Sequence, residues 1–325
     1  MGEIAPKGMD SMPDWSELHS TLKGQPSPQD KLRKGYIKRL ASLTKRNVIV
    51  YYSGWLQKPA MQGVNFGISD ADMTGFMTVI HKLDREKGLD LVLHTPGGDM
   101  AATESLIDYL RSMFGNNIRA IVPQIAMSGG SMIACACKEI IMGKQSNIGP
   151  FDPQINGAPC QAILSDLTRA LTEMQTVPNS AYVWQPIIQK YNLGFFAQCV
   201  HAIQMADEVV KKNLIACMFD GLQDAQDKAN KIVSHLGSHA ETKMHARHIH
   251  KEQAKDLGLK IADLEADPKL QEAVLSLHHS CILTFEQTQA IKIIENNIEK
   301  SYIGIVAAQP LFSAMPPLPL PTLPM

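Results

Sequence analysis

One pattern constrains this chain more than any other: short apolar runs that each end in a glycine-bearing turn and then a helical period. Leu89–Leu93 (LDLVL) reads as a strand covered on both faces. It runs into His94-Thr95-Pro96-Gly97-Gly98, and a helix follows from about Asp99 to Phe114, with Leu106, Ile107, Leu110, Met113 and Phe114 on one face. The unit then recurs. Ile118–Val122 is a strand, 123–127 a loop, Ser128–Lys138 a small apolar helix, and Glu139–Met142 a short strand. Upstream, Asn47–Ser53 (NVIVYYS) is a β-branched and aromatic strand, and Asp70–Lys87 carries Phe76, Val79, Ile80 and Leu83 at helical spacing. Strand, turn and helix in this succession specify an α/β fold with a mainly parallel sheet between helices.

Around that core the expectations are coarser. A helix-like stretch spans Asp30 to Thr44, the chain from Pro159 to about His235 reads as helical, and helical patterns resume from Pro268 to Lys300. The expected organisation is a flexible tail over 1–34, a core over 35–265, a helical extension over 266–304 and a Pro-rich tail over 305–325. Six of the 19 prolines fall in the last sixteen residues, where PPLPLP favours polyproline II and needs no core.

Composition narrows the function classes. A formal net charge of -1 argues against nucleic acid or an anionic membrane as the main partner. No apolar run reaches the roughly 18 residues of a membrane span, and the opening residues lack the apolar segment of a secretory signal, so the expected location is cytoplasmic. The six cysteines include no CxxC pair, and most sit in apolar sequence, which reads as buried, reduced thiols. His235, His239, His245, His248 and His250 cluster in a polar stretch, but no HExxH motif or cysteine pair accompanies them, so no metal and no cofactor is expected.

Chemistry is best placed at two turns, HTPGG (94–98) and AMSGGS (126–131). Both follow parallel strands, so both belong at the carboxyl edge of the sheet, where α/β ligand sites form. Gly97 and Gly98 offer unhindered backbone N–H groups suited to an oxyanion. Ser128 opens an apolar helix, with Gly129 and Gly130 behind it. This is not the Gly-x-Ser-x-Gly elbow, because Ala126 stands where that motif has glycine. A serine nucleophile needs a base, and the base needs an acid to orient it. Asp152 sits in a rigid loop between Phe151 and Pro153, where capping a turn is its simpler role. His94 either faces the site or packs at the strand end.

These residues resemble a known group. LDLVLHTPGGDMAATES, then AIVPQIAMSGGSMIACACKEIIMGKQSNIGPFDPQ, is similar to the serine dehydrogenase proteinase family, a distant branch of the Clp-protease/crotonase superfamily related to signal peptide peptidase. KRNVIVYYSGWLQKP, MHARHIHKEQAKDLGL and LTFEQTQAIKIIEN extend the resemblance over roughly residues 35–300. It implies a Clp/crotonase-type ββα superhelical fold with additional C-terminal helices. It implies a serine peptidase with Ser128 as nucleophile, Asp152 as acid and His245 as base, and with the Gly98 and Gly129 N–H groups as oxyanion hole. His239, His248 and His250 lie close to His245 in sequence, and Lys144 is the base if the chain follows the Ser-Lys scheme of signal peptide peptidases. The implied partners are a peptide or protein substrate, further copies of the chain in a homo-oligomer, and a separate ATPase if unfolding is required, since no Walker motif is present. Two other readings stay open: a crotonase-like acyl-CoA hydratase or hydrolase using the same oxyanion hole, and a non-catalytic assembly module that binds partners through its Pro-rich tail.

Overall fold

A computed structural model describes residues 27–306; the first 26 residues and the Pro-rich tail from 307 lie outside the described residues. The main sheet has seven strands: β1 (Asn47–Ser53), β2 (Leu89–His94), β3 (Ile118–Val122), β5 (Glu139–Met142), β10 (Ile261–Asp263), β11 (Ala290–Asn296) and β12 (Ser301–Ile305). Their spatial order is β10-β5-β3-β2-β1-β11-β12. The run from β10 to β1 is parallel, and β11 and β12 add to the β1 edge as an antiparallel hairpin.

Alternation along the strands sorts side chains between two layers. Ile49, Tyr51, Leu91, Leu93, Ala120 and Val122 point into one core, built with the helices Ala71–Ile80, Met100–Phe114, Gly129–Cys135, Phe195–Asn213 and Ala225–Leu236. Val48, Val50, Tyr52, Val92, Ile121 and Ile141 point into the other, closed by the helices Pro28–Thr44 and Pro268–Gln287. Both faces are covered, which is why LDLVL needs no solvent-facing polar residue. Its one charge, Asp90, is buried and held by Arg46 at 2.7 Å and Arg119 at 2.7 Å.

A second, smaller sheet crosses the end of the first. The chain breaks after β3 at Pro123-Gln124 and forms β4 (Ile125–Ala126); after β5 it forms β6 (Asn147–Ile148). β4 pairs parallel with β6, and β9 (Ile249–His250) pairs antiparallel with β6. A further hairpin, β7 (Gln154–Ile155) with β8 (Ala158–Pro159), leads into the helix Cys160–Thr176.

Two expectations need correction. The tail expected over 1–34 is helical from Pro28, because Ser27 Oγ accepts the Asp30 N–H at 3.2 Å and Pro28 opens the first turn. The helical extension expected over 266–304 stops at Gln287, and the rest is the β11–β12 hairpin. Lys292 and Glu295 look like the polar face of a helix, but they are buried strand residues with ion-pair partners, Asp72 and Arg33. Among the described residues no helix is long and apolar enough to cross a membrane.

Candidate active site

The HTPGG and AMSGGS turns meet at the end of the parallel strands, and contact between them dictates their glycines. Thr95 and Ala126 form a bridge, with the Met127 N–H donating to the Thr95 carbonyl at 3.0 Å. A Cβ on Gly97, whose φ is +93°, would lie 2.5 Å from Ser128 Cβ. A Cβ on Gly98 would lie 2.1 Å from the Ile68 nitrogen, because Ile68 forms a single parallel bridge to Gly98. The Ile68 N–H donates to the Gly97 carbonyl at 2.7 Å, and the Asp99 N–H to the Ile68 carbonyl at 2.9 Å. Any side chain at Gly97 or Gly98 would push these segments apart.

Ser128 stands between the short strand β4 and the helix Gly129–Cys135, with φ +49° and ψ −116°. A non-glycine residue in that region costs about 1–3 kcal/mol and persists only when its surroundings hold it. Here they do. Ser131 Oγ donates to the Ala126 carbonyl at 2.8 Å and accepts the Gly149 N–H at 2.9 Å, tying the turn to the following loop. Gly129 and Gly130 let the helix sit against Thr103 and Thr95, which a Cβ would approach to 2.6 Å at either position. Among the described residues, the Gly98 and Gly129 N–H groups have no acceptor.

Asp152 is 1% exposed. Its loop is fixed on both sides: the Phe151 N–H donates to the Leu236 carbonyl at 2.9 Å, and the Pro153 carbonyl accepts the Cys160 N–H at 2.9 Å. The carboxylate accepts from His245 Nδ1 at 2.8 Å through Oδ1 and from His239 Nδ1 at 3.2 Å through Oδ2. A carboxylate only accepts, so the His245 proton sits on Nδ1 and Nε2 is left free to accept. The capping role read from sequence gives way to this pairing.

Ser128, Asp152, His245, Gly98 and Gly129 all line one cavity of about 530 Å³. Met100, Met132, Met205 and Phe151 make its apolar wall. Among the described residues no hydrogen bond joins Ser128 to His245; such contacts commonly tighten only when substrate is bound. Of the competing bases, His239 also meets Asp152 but does not line the cavity, and the others lie elsewhere. Lys144 does not line the cavity, and its backbone N–H donates to Glu265. His248 is exposed, and His250 caps the helix Lys251–Leu257. His94 is on the other side of the sheet, buried against Trp55, Tyr52 and His278, and burial holds it down at about 3.

The sequence offers His239 only as a neighbour of His245 that could take the base's role, six positions before it in the histidine cluster, and it gives no sign of Ile68 or Ser131. The six cysteines are free and buried, and burial pushes the Cys135 thiol up to about 12. Among the described residues no group of three or more His, Cys, Asp or Glu is placed to hold a metal ion.

Two uncharacterized proteins of Methanocaldococcus jannaschii are similar to part of this chain. MJ1495 is 39% identical over 97 residues, 30% of this chain and 33% of that protein. MJ0137 is 36% identical over 97 residues, 30% of this chain and 34% of that protein. The chain thus matches about a third of the length of each relative. The family profile described as ClpP-like SDH-type serine proteinase covers far more, residues 64–292, from the segment before Ile68 through Ser128, Asp152 and His245 to β11. On that match, over most of its length, the chain belongs to the ClpP-like SDH-type serine proteinase family.

Proposed function

We propose that the protein is a serine peptidase that works through Ser128, His245 and Asp152. The observation that carries this reading is the 2.8 Å hydrogen bond from His245 to the buried Asp152, in the cavity that also holds Ser128 and two unengaged N–H groups. Ser128 Oγ attacks the peptide carbonyl carbon while His245 Nε2 takes its proton. The oxyanion accepts from the Gly98 and Gly129 N–H groups, each contributing roughly 3 kcal/mol. The C–N bond then breaks, and His245 returns the proton to the leaving amine. Water repeats the sequence to release the acyl group and restore the serine. Asp152 holds the imidazole in one tautomer and offsets its positive charge.

The same reading includes a ββα superhelix, supported by the succession of β3, β4 and the helix Gly129–Cys135. It includes a homo-oligomer that encloses its sites, a cytoplasmic location, peptide or protein substrates, and an ATPase on a separate chain where folded substrates must be opened.

Ser128→Ala is expected to abolish labelling by a fluorophosphonate probe that marks the wild-type chain. Undiminished labelling of the variant overturns the assignment. Retained turnover of an acyl-CoA by the same variant favours a crotonase-like enzyme instead.

A further inference from the structure

We propose that His239 is a positioning residue for the Asp152–His245 pair; this rests on the peptidase reading above. Asp152 is nearly sealed from solvent, and among the described residues its carboxylate has two partners, one imidazole on each oxygen. His245 lines the cavity, whereas His239 does not. What His239 supplies is the second anchor. A carboxylate held at Oδ1 alone swings about its Cβ–Cγ bond, and the direction in which it presents that oxygen to His245 swings with it. With Oδ2 fixed at 3.2 Å by His239 Nδ1, the plane is set, and so is the angle at which His245 turns Nε2 towards Ser128.

The anchor is itself braced. The His239 backbone N–H donates to Gln161 Oε1 at 2.6 Å, and Gln161 Nε2 donates to the Gly237 carbonyl at 3.1 Å. Gln161 belongs to the helix that begins at Cys160, the residue whose N–H holds the Pro153 carbonyl. The acid's loop and the anchoring imidazole therefore share one helical support. This differs from a three-residue relay in which the acid meets only the base: here the acid is held at both of its oxygens. His239 is 24% exposed, so its removal opens Oδ2 to water, which bonds that oxygen without fixing its direction, and the carboxylate is free to leave its register.

The test is the rate of fluorophosphonate labelling at varied probe concentration, which separates the maximal labelling rate from the half-saturating concentration. His239→Ala should lower the maximal rate at least about tenfold and leave the half-saturating concentration unchanged. His239→Gln, whose amide N–H reaches the same oxygen, should recover to within about threefold of wild type. Thermal melts of both variants check that they are folded; if the alanine variant is not, the glutamine variant must still outpace a third one, His239→Leu. Wild-type labelling rates in His239→Ala or His239→Leu overturn the proposal. So does a folded His239→Gln that labels as slowly as the variant lacking a donor. Failure of the peptidase reading itself looks different, since Ser128→Ala then labels like the wild type.

Discussion

His94 illustrates how an individual residue can be set by packing alone. It ends β2 and opens the HTPGG turn, yet its ring packs on Trp55 at 4.5 Å and lies 5.3 Å from that of His278. Among the described residues neither ring nitrogen has a partner. Burial, reinforced by His278, holds His94 at about 3, and burial with His279 holds His278 at about 4. Both lie below the ordinary value of 6.5, so the unfolded chain binds more protons than the folded one on acidification. Their contribution to stability is complete above about pH 6.5 and is lost as the pH falls towards 4 and then 3. His94→Phe should therefore lose less melting temperature than the wild type between pH 7 and pH 4.5. An equal loss in the two proteins would refute this account.

At the scale of elements, the β11–β12 hairpin does more than finish the sheet. Lys292 Nζ on β11 contacts both Asp72 carboxylate oxygens at 2.8 Å and the Gly67 carbonyl at 2.6 Å. Gly67 precedes Ile68, the residue that bridges Gly98, so a lysine on the strand between β1 and β12 supports the HTPGG turn through Ile68. Lys292→Met should cost about 3–5 kcal/mol by urea denaturation, because it leaves Asp72 buried without its cation. Adding Asp72→Asn should recover part of that loss; a double variant no more stable than Lys292→Met argues against the pair. This is also where the sequence was least legible. β1, β2, β3 and β5 could be read directly, because their apolar runs carry the period of a buried strand. β11 could not, because Lys292 and Glu295 belong inside only when Asp72 and Arg33, more than two hundred residues away in sequence, arrive to meet them. The same holds at the site. Ser128 and its glycines announce themselves locally, whereas the hold of His239 on Asp152 bridges 87 positions. Strands of two residues, such as β4, β6 and β9, are too short to leave a period at all.

For the whole molecule, the layers divide the labour. The parallel sheet fixes the two turns, and the segment from Cys160 to Asn213 stands over the cavity, contributing Ala202 and Met205 to its wall. The helices of this segment keep large apolar side chains in solvent, Tyr182 at 81% and Val183 at 63% exposure. The homo-oligomer proposed above is expected to use them. Light scattering should give a mass of several chains for the wild type, and Tyr182→Asp with Val183→Asp should lower it; a monomeric wild type removes this part of the proposal. The way β11 meets β1 also has a consequence for synthesis. Ser128, the cavity wall and the two histidines emerge from the ribosome before Lys292 does, and until then β1 has an unpaired edge and the segment at Ile68 lacks its prop. On the peptidase reading proposed above, a chain cut short ahead of β11 would carry Ser128 without a braced HTPGG turn, and a half-made molecule would have little means of cutting its neighbours. Its open β1 edge would make it sticky instead, a hazard that ends when the last two strands close the sheet.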